Sequence, residues 1–226
     1  ARRATVPAHA LLAERAVEMG AAAANLADLR EKFARDFIFP SLRAGAVYEQ
    51  GYFLFSALSR PLIVQELVEI ARLEGCDAIA HGSRGIGNDK IRLRNCIRAI
   101  APGLEVLAPL EELGLESPAD DLAYAKTHGL PFESEKQTLW NAEQNLWGNN
   151  IQLRGDVDAW EEPPKDTFVM TVPVATAPNK PVILEIGFVQ GRPVSIDNEV
   201  LSPVELIGKL NHLGGRCAVE IGRAHV

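Results

Sequence analysis

A glycine-rich segment followed by charged and amide side chains is the part of this sequence best suited to chemistry. It spans residues 81–92, reads HGSRGIGNDKIR, and lies between a short apolar run and a helical pattern. Glycines permit positive φ and let a ligand approach the backbone closely, and ligands of open α/β sheets bind where a strand ends and a helix begins. The segment fits a phosphate or an amino-acid substrate, although glycine-rich turns also serve as plain connections.

Four side chains of this segment each have two interpretations. Asn88 and Asp89 both favour the N-cap position of a helix, but Asn88 and Arg92 are four residues apart and therefore project from one helical face. A guanidinium there can hold an α-carboxylate with two hydrogen bonds, while the Asp89 carboxylate can accept from an α-ammonium group. Otherwise Arg92 belongs to a solvated helix face, and His81 is a structural histidine at the end of a strand. The residues alone leave both interpretations open.

The composition predicts a cytoplasmic globular protein that binds neither nucleic acid nor a membrane. The chain has 226 residues, of which 47% are hydrophobic, and this is enough for one or two domains. The net charge is −7, and no basic cluster suggests a nucleic-acid surface. No apolar run approaches the roughly 18 to 20 residues of a transmembrane helix. The scattered cysteines predict buried thiols in a reducing compartment rather than disulfides or zinc ligands.

Strand-like and helical patterns alternate up to residue 131. Pro61 is expected in the first turn of its helix, with Ile63, Leu67 and Ile70 on the buried side. Short connections between alternating strands and helices indicate a mostly parallel sheet covered on both faces. The predicted elements of this part are helices over 8–20, 29–39 (capped by Asp28), 61–75, 88–100 and 117–129, and strands over 21–26, 77–80 and 104–108.

After residue 131 the pattern becomes α+β and mainly antiparallel. Strands are predicted over 167–172, 182–189 and 193–196, the last two joined as a hairpin, and a final helix over 204–213. Residues 156–166 are acidic and rich in proline, which is typical of a loop. We therefore predict two domains, residues 1–131 and 132–226.

Several segments resemble the argininosuccinate synthase family in its order along the chain. They are residues 28–40, 48–61, 81–92, 145–147, 177–179 and 201–206. The resemblance implies an α/β fold: a parallel-sheet nucleotide-binding domain of the ATP-pyrophosphatase or adenine nucleotide hydrolase type, here incomplete, followed by part of an α+β synthetase domain. It also implies a cytoplasmic homotetramer that acts in arginine biosynthesis and the urea cycle.

The resemblance further implies an ATP-dependent carbon–nitrogen ligase. In this family ATP, carried with Mg²⁺, adenylates the ureido oxygen of citrulline, and the amine of aspartate then displaces AMP. Matched position by position, Tyr52 and Ala57 correspond to citrulline-binding residues, as do Asn141 and Asn150, which align with two serines of the family. The remaining matches are Gly82 with ATP, Arg92 with citrulline, Asn88 with both amino acids, and Arg84 and Asp89 with aspartate.

The chain departs from the family inside the glycine-rich segment. Arg84 replaces a threonine that helps to bind aspartate, and Ile86 replaces a lysine. The motif Gln-Val-Arg-Phe-Glu becomes the sequence KIRLR at residues 90–94. An arginine at position 84 adds bulk and positive charge, so it either recruits another carboxylate or blocks the aspartate pocket. Two alternatives therefore remain: the same adenylation chemistry with a different amine, or a non-catalytic relative.

Both ends of the sequence lead to expectations of their own. The family's Ser-Gly-Gly pyrophosphate loop is expected upstream of residue 1, and the glutamate and tyrosine that complete the citrulline site are expected downstream of residue 226. Residues 220–226 read like translated sequencing-adapter DNA and are expected to be foreign to the protein. We accordingly expect the polypeptide alone to be inactive.

Overall fold

The computed structural model describes residues 8–49, 51–83, 88–115, 117–130, 140–153, 158, 160–161, 164 and 167–219. The helices are α1 (Ala8–Glu18), α2 (Arg30–Phe33), α3 (Phe39–Arg43), α4 (Phe55–Glu74), α5 (Asp89–Ile100), α6 (Pro109–Glu112), α7 (Pro118–Thr127) and α8 (Pro203–Arg216), with a π-helical stretch at Ala34–Ile38 and a 3₁₀ turn at Val174–Thr176. The strands are β1 (Ala78–Ala80), β2 (Glu105–Leu107), β3 (Trp140–Gln144), β4 (Asn149–Leu153), β5 (Ile186–Val189), β6 (Arg192–Ile196) and β7 (Glu199–Val200).

Contacts group the chain into two compact units. The first combines residues Ala1–Asp28 and Val64–Gln137, and the second combines Leu29–Ile63 and Thr138–Val226. Residues 29–63 therefore group with the later part of the chain. None of the helices described here is both long and apolar enough to cross a membrane.

The first unit contains a strand–helix–strand arrangement. β1 and β2 pair in parallel, with Ile79 opposite Val106, and α5 lies between them in sequence. The strands predicted over 77–80 and 104–108, the helix over 88–100 and the helix after Ser117 are confirmed, and this unit fits the α/β class. Its core consists of six buried residues: Val64, Val68, Ala71, Ile79, Ile97 and Ala101.

Helix α4 differs from its prediction at its start and in its buried face. It begins at Phe55, so Pro61 lies inside the helix rather than in its first turn. Proline there removes one backbone donor and crowds the preceding turn; burial of the Phe55 side chain, only 5% exposed, holds the early turns in place. The predicted inward residue Ile63 is instead exposed, whereas Leu62 and its neighbours on the true inward face are buried. Tertiary packing here overrides the local proline signal.

The helix predicted over 29–39 is longer and less regular than expected. It continues past Pro40 to Arg43 by way of the π-helical stretch at Ala34–Ile38. Because proline clashes with the carbonyl four residues earlier, a widened turn just before Pro40 lets the helix continue. The predicted cap is also wrong: the N-cap is Leu29, which offers no side-chain acceptor, rather than Asp28.

The second unit is built on two antiparallel sheets. β3 and β4 form a hairpin that the sequence did not reveal, and β5, β6 and β7 form a three-stranded sheet. The predicted hairpin turn around Gln190 and Gly191 is confirmed, with both residues at positive φ as a tight hairpin turn requires. The final helix is confirmed and opens with a capping box between Ser202 and Glu205. The core of the unit comprises Phe33, Ala34, Ile38, Phe39, Leu62 and Ile207.

Four other predictions are wrong in whole or in part. Residues 21–26 form no strand but an exposed connection, because a run of alanines has too little apolar surface to hold a buried position. Residues 167–172 are irregular rather than extended in a sheet, and of residues 182–189 only Ile186–Val189 pair with a neighbour. The cysteines are free thiols, but Cys76 is exposed rather than buried.

Two isoleucines of the second unit differ greatly in burial, so replacing each with alanine should have very different effects on stability. Ile196 on β6 is completely buried, whereas Ile183 is 90% exposed. We expect Ile196→Ala to lower the free energy of unfolding by about 2–5 kcal/mol and Ile183→Ala to change it by less than about 0.5 kcal/mol. Urea unfolding followed by circular dichroism measures both, and equal losses would contradict the assigned core.

Candidate functional site

The carboxyl ends of the two parallel strands form the edge where the glycine-rich segment begins. The His81 N–H donates to the Leu107 carbonyl at 3.0 Å, which extends the strand pairing by one residue. Gly82 follows and is exposed. A side chain at this position would meet only Leu110, at 3.9 Å, so neither packing nor φ demands a glycine. Its bare backbone is open to a ligand, as the predicted ATP contact requires.

The first turn of α5 carries three of the predicted substrate-binding residues. Asn88 occupies the N-cap position, but its exposed side chain makes no capping hydrogen bond. One turn later, Arg92 Nη1 donates to Asp89 Oδ1 at 3.0 Å, and both side chains are about one-third exposed (33% and 32%). Asn88, Asp89 and Arg92 therefore lie together at the start of α5, and Gly82 lies in the same unit just after β1. Arg84 lies outside the described residues.

Glu111 on α6 joins α5 to the end of β2. Its carboxylate accepts a hydrogen bond from Lys90 and lies 3.7 Å from Arg94 Nη2. Lys90 lowers the pKa of Glu111, with a smaller contribution from Arg94. Both cations stand in the part of the motif where the chain departs from the family that it resembles, and sequence reasoning did not select Glu111 as a site residue. Two cations thus share one anion at this edge of the sheet.

His81 lies beside that cluster, in surroundings that favour its neutral form. The Ser83 backbone N–H donates to His81 Nδ1 at 3.4 Å, so the proton of the neutral ring is on Nε2. Burial lowers the pKa of His81, and Arg94 lowers it further. Nε2 is buried and has no hydrogen-bond partner among the residues the structure describes. The ring is therefore a neutral donor at the end of β1.

The second unit holds the other predicted citrulline residues. Tyr52 is half-buried and meets Phe55 edge to face, with ring centroids 5.7 Å apart. Ala57 is half-buried in the first turn of α4. Asn141 lies on β3 opposite Gln152, and Asn150 lies on β4 opposite Glu143. Asn150 is exposed.

The β3–β4 hairpin is attached to the start of α4 by hydrogen bonds from its turn. Asn145 Nδ2 donates to the Phe55 carbonyl at 2.9 Å, while its Oδ1 accepts from the backbone of Trp147 at 2.8 Å. The Trp147 indole N–H donates to the Phe53 carbonyl at 3.1 Å. These contacts bring the segment of Tyr52 and Ala57 together with the hairpin of Asn141 and Asn150.

A side-chain ion pair adds to these attachments. Arg60 Nη2 on α4 donates to Glu143 Oε1 on β3. Neither residue was singled out from the sequence, although both lie in or near the segments that carry the family resemblance. Among the described residues, no group of histidine, cysteine, aspartate or glutamate side chains is arranged to hold a metal ion.

Comparison with known proteins covers both parts of the chain. The family profile described as "Arginosuccinate synthase N-terminal HUP domain" matches residues 9–131, and "Arginosuccinate synthase C-terminal domain" matches residues 140–226. The argininosuccinate synthase of Carboxydothermus hydrogenoformans is 43% identical over 212 residues, which are 93% of this chain and 52% of that protein. The Pelotomaculum thermopropionicum enzyme of the same name is 41% identical over 210 residues, with the same coverage.

These matches agree with the architecture. The HUP domain match fits an α/β nucleotide-binding fold for the first part of the chain, consistent with its parallel strand pair and the open loop at Gly82. The chain belongs to the argininosuccinate synthase family. It spans about half the length of the curated relatives it matches.

The protonation state of His81 predicts a pH dependence of stability. Since the pKa of His81 is lower in the folded chain than its ordinary value of about 6.5, the unfolded chain binds its proton first as the pH falls. The free energy of unfolding therefore keeps its full value above the pKa that His81 has in the unfolded chain, and it declines as the pH falls below that pKa. We expect His81→Gln to reduce the decline between about pH 7.5 and pH 5, measured by thermal unfolding across that range.

The matched control for this measurement is His212→Gln, which removes an exposed histidine from α8. It should leave the decline unchanged. A His81→Gln variant with the wild-type pH profile would show that His81 takes up its proton equally well in the folded and unfolded chains.

Proposed function

We propose that this chain acts in a ligase that condenses citrulline with aspartate at the expense of ATP, through a citrullyl-AMP intermediate, in arginine biosynthesis. The observation that carries the proposal is the match of both family domains, in order, over residues 9–131 and 140–226. Relatives named argininosuccinate synthase at 41–43% identity support it. The open backbone at Gly82 and the charged first turn of α5 supply groups suited to these substrates.

The proposed site residues fall into three groups by the ligand they meet. Arg92 binds the carboxylate of citrulline, since a guanidinium can offer two parallel donors, and Asn88 contacts both amino acids. The ion pair between Arg92 and Asp89 places the positive charge offered to citrulline next to the negative charge offered to aspartate. The remaining assignments are Tyr52, Ala57, Asn141 and Asn150 to citrulline, Arg84 and Asp89 to aspartate, and Gly82 to ATP.

Catalysis in this proposal rests mainly on positioning and on charge. Bound ATP supplies the adenylyl group that makes the ureido oxygen of citrulline a leaving group. Arg92 holds the citrulline carboxylate, and Asp89 accepts hydrogen bonds from the neutral α-amine of aspartate, so that the amine lone pair and the activated carbon meet in a fixed orientation. Lys90 and Arg94 lie on the same helix and add positive potential near the phosphates.

The Mg²⁺ of this reaction is proposed to arrive with the triphosphate. Magnesium commonly binds through substrate phosphates with few protein ligands. We also propose an ATP-pyrophosphatase-type fold for the first domain, a boundary near residue 131, a homotetramer and a cytoplasmic location. The domain matches, which leave residues 132–139 between them, support the boundary.

A matched pair of substitutions on α5 tests the proposed role of Arg92 in the protein expressed from its native gene. Arg92→Lys keeps the charge but loses the planar pair of donors, so we expect the KM for citrulline to rise by roughly tenfold or more. Arg98→Lys, an exposed change in the last turn of the same helix, should leave it unchanged. Citrulline-dependent release of pyrophosphate measures both, and equal KM values in the two variants would rule out the assigned role.

The identity of the amine substrate is tested separately. With citrulline and ATP present, we expect AMP release to depend on aspartate, and Arg84→Thr to keep that dependence. AMP release driven by another amine, and not by aspartate, would instead establish the alternative nucleophile. Absence of citrulline-dependent pyrophosphate release from the native-gene product would favour the non-catalytic relative.

A further inference from the structure

The second unit contains a partly buried ion pair that the assigned site residues do not explain. Arg60 on α4 and Glu143 on β3 are 83 residues apart in the chain. The Arg60 side chain is only 17% exposed, and that of Glu143 is 37% exposed. A charge as buried as Arg60 is retained where it is paired and hydrogen-bonded, since removing one partner leaves the other costly to bury.

The guanidinium of Arg60 is held on two sides. Its Nη2 donates to Glu143, and its Nη1 donates to Ser59 Oγ at 3.0 Å. Ser59 is itself buried and donates to the Ser56 carbonyl at 2.8 Å. The Arg60 side chain is thus anchored to α4 before it reaches the hairpin, and its orientation fixes where Glu143 can lie.

The pair connects the two halves of the proposed citrulline site. Ala57 and Arg60 are three residues apart on α4, so they lie on one face of the helix. Glu143 and Asn150 are directly opposite in the β3–β4 register, so their side chains project from one face of the hairpin. Joining Arg60 to Glu143 therefore places Asn150 on the hairpin face that meets α4 near Ala57.

We propose that Arg60 and Glu143 are the positioning pair of the citrulline site, holding the hairpin at the one distance from α4 at which Asn150 and Ala57 face the same ligand. The inference rests on the proposed function. The hydrogen bonds of Asn145 and Trp147 attach the turn of the hairpin, whereas this pair attaches the strand that leads into it. Neither Arg60 nor Glu143 needs to touch the substrate.

The test uses four variants of the protein expressed from its native gene: Arg60→Gln, Glu143→Gln, the exchange Arg60→Glu with Glu143→Arg, and Arg60→Lys. The control is Glu199→Gln, which removes another ion pair of the same unit, between β7 and Lys209 of α8. Initial rates give the KM for citrulline and kcat separately. A purely structural role would lower the apparent kcat through loss of folded protein and leave KM unchanged, whereas a positioning role raises KM in protein that is fully folded by circular dichroism.

A second measurement reports, in the absence of substrate, whether the hairpin is packed against the segment before α4. Trp147 meets Phe53 edge to face with centroids 6.3 Å apart, so the ¹⁹F resonance of 5-fluorotryptophan at this position reports whether the hairpin is docked. Trp160, 95% exposed, supplies the reference for a solvated ring. Replacing each tryptophan with phenylalanine assigns the signals.

The expected result is a rise in KM of roughly tenfold for each glutamine variant, the order expected for losing a hydrogen bond to a charged partner, with kcat within about threefold. The Trp147 signal should move toward that of Trp160. The charge exchange should recover both, and Arg60→Lys should fall between the wild-type protein and Arg60→Gln because it keeps the charge without the planar donors.

Glutamine variants that match Glu199→Gln in KM and in the Trp147 signal would overturn the proposal, as would a displaced Trp147 signal with an unchanged KM. If the wild-type protein shows no citrulline-dependent turnover, the proposed function fails. In that case the fluorine spectra alone decide whether the pair sets the position of the hairpin.

Discussion

The amide of Asn145 is the contact on which the second unit depends. It closes the β3–β4 turn by accepting from the backbone of Trp147 and Gly148, and it reaches 90 residues back to the Phe55 carbonyl at the start of α4. Because one planar group satisfies backbone partners in both segments, the turn and the helix cannot move apart without leaving buried polar groups unpaired. Two further contacts join the hairpin to α4. Phe55 packs against Gly148, and Arg60 pairs with Glu143.

The first unit carries a balance of charge at the end of its parallel strand pair. Lys90 and Arg94 approach Glu111, and their positive charge helps to keep His81 neutral. Exposed ion pairs stabilise a fold only slightly, so the effect of this cluster is mainly to set the potential and the orientation of the first turns of α5.

Sequence reasoning correctly predicted the helix ends that are set by a local backbone rule. Gly75 at positive φ ends α4, and Ser117 and Ser202 each open a helix with a capping box. It failed where local signals conflict with packing. Pro61 indicates the first turn of a helix, yet burial of Phe55 starts α4 six residues earlier, and the amide-rich residues before and after Asn145 gave no alternating pattern from which the hairpin could be recognised.

The sequence by itself determined the family, the α/β character of the first part and the candidate residues at its glycine-rich loop, because these depend on residue types at fixed spacing within short segments. Only the tertiary structure decided that residues 29–63 group with those from 138 onward, and that Arg60 meets Glu143. Contacts between segments so far apart depend on shape and burial across the whole unit. No short stretch of sequence contains that information.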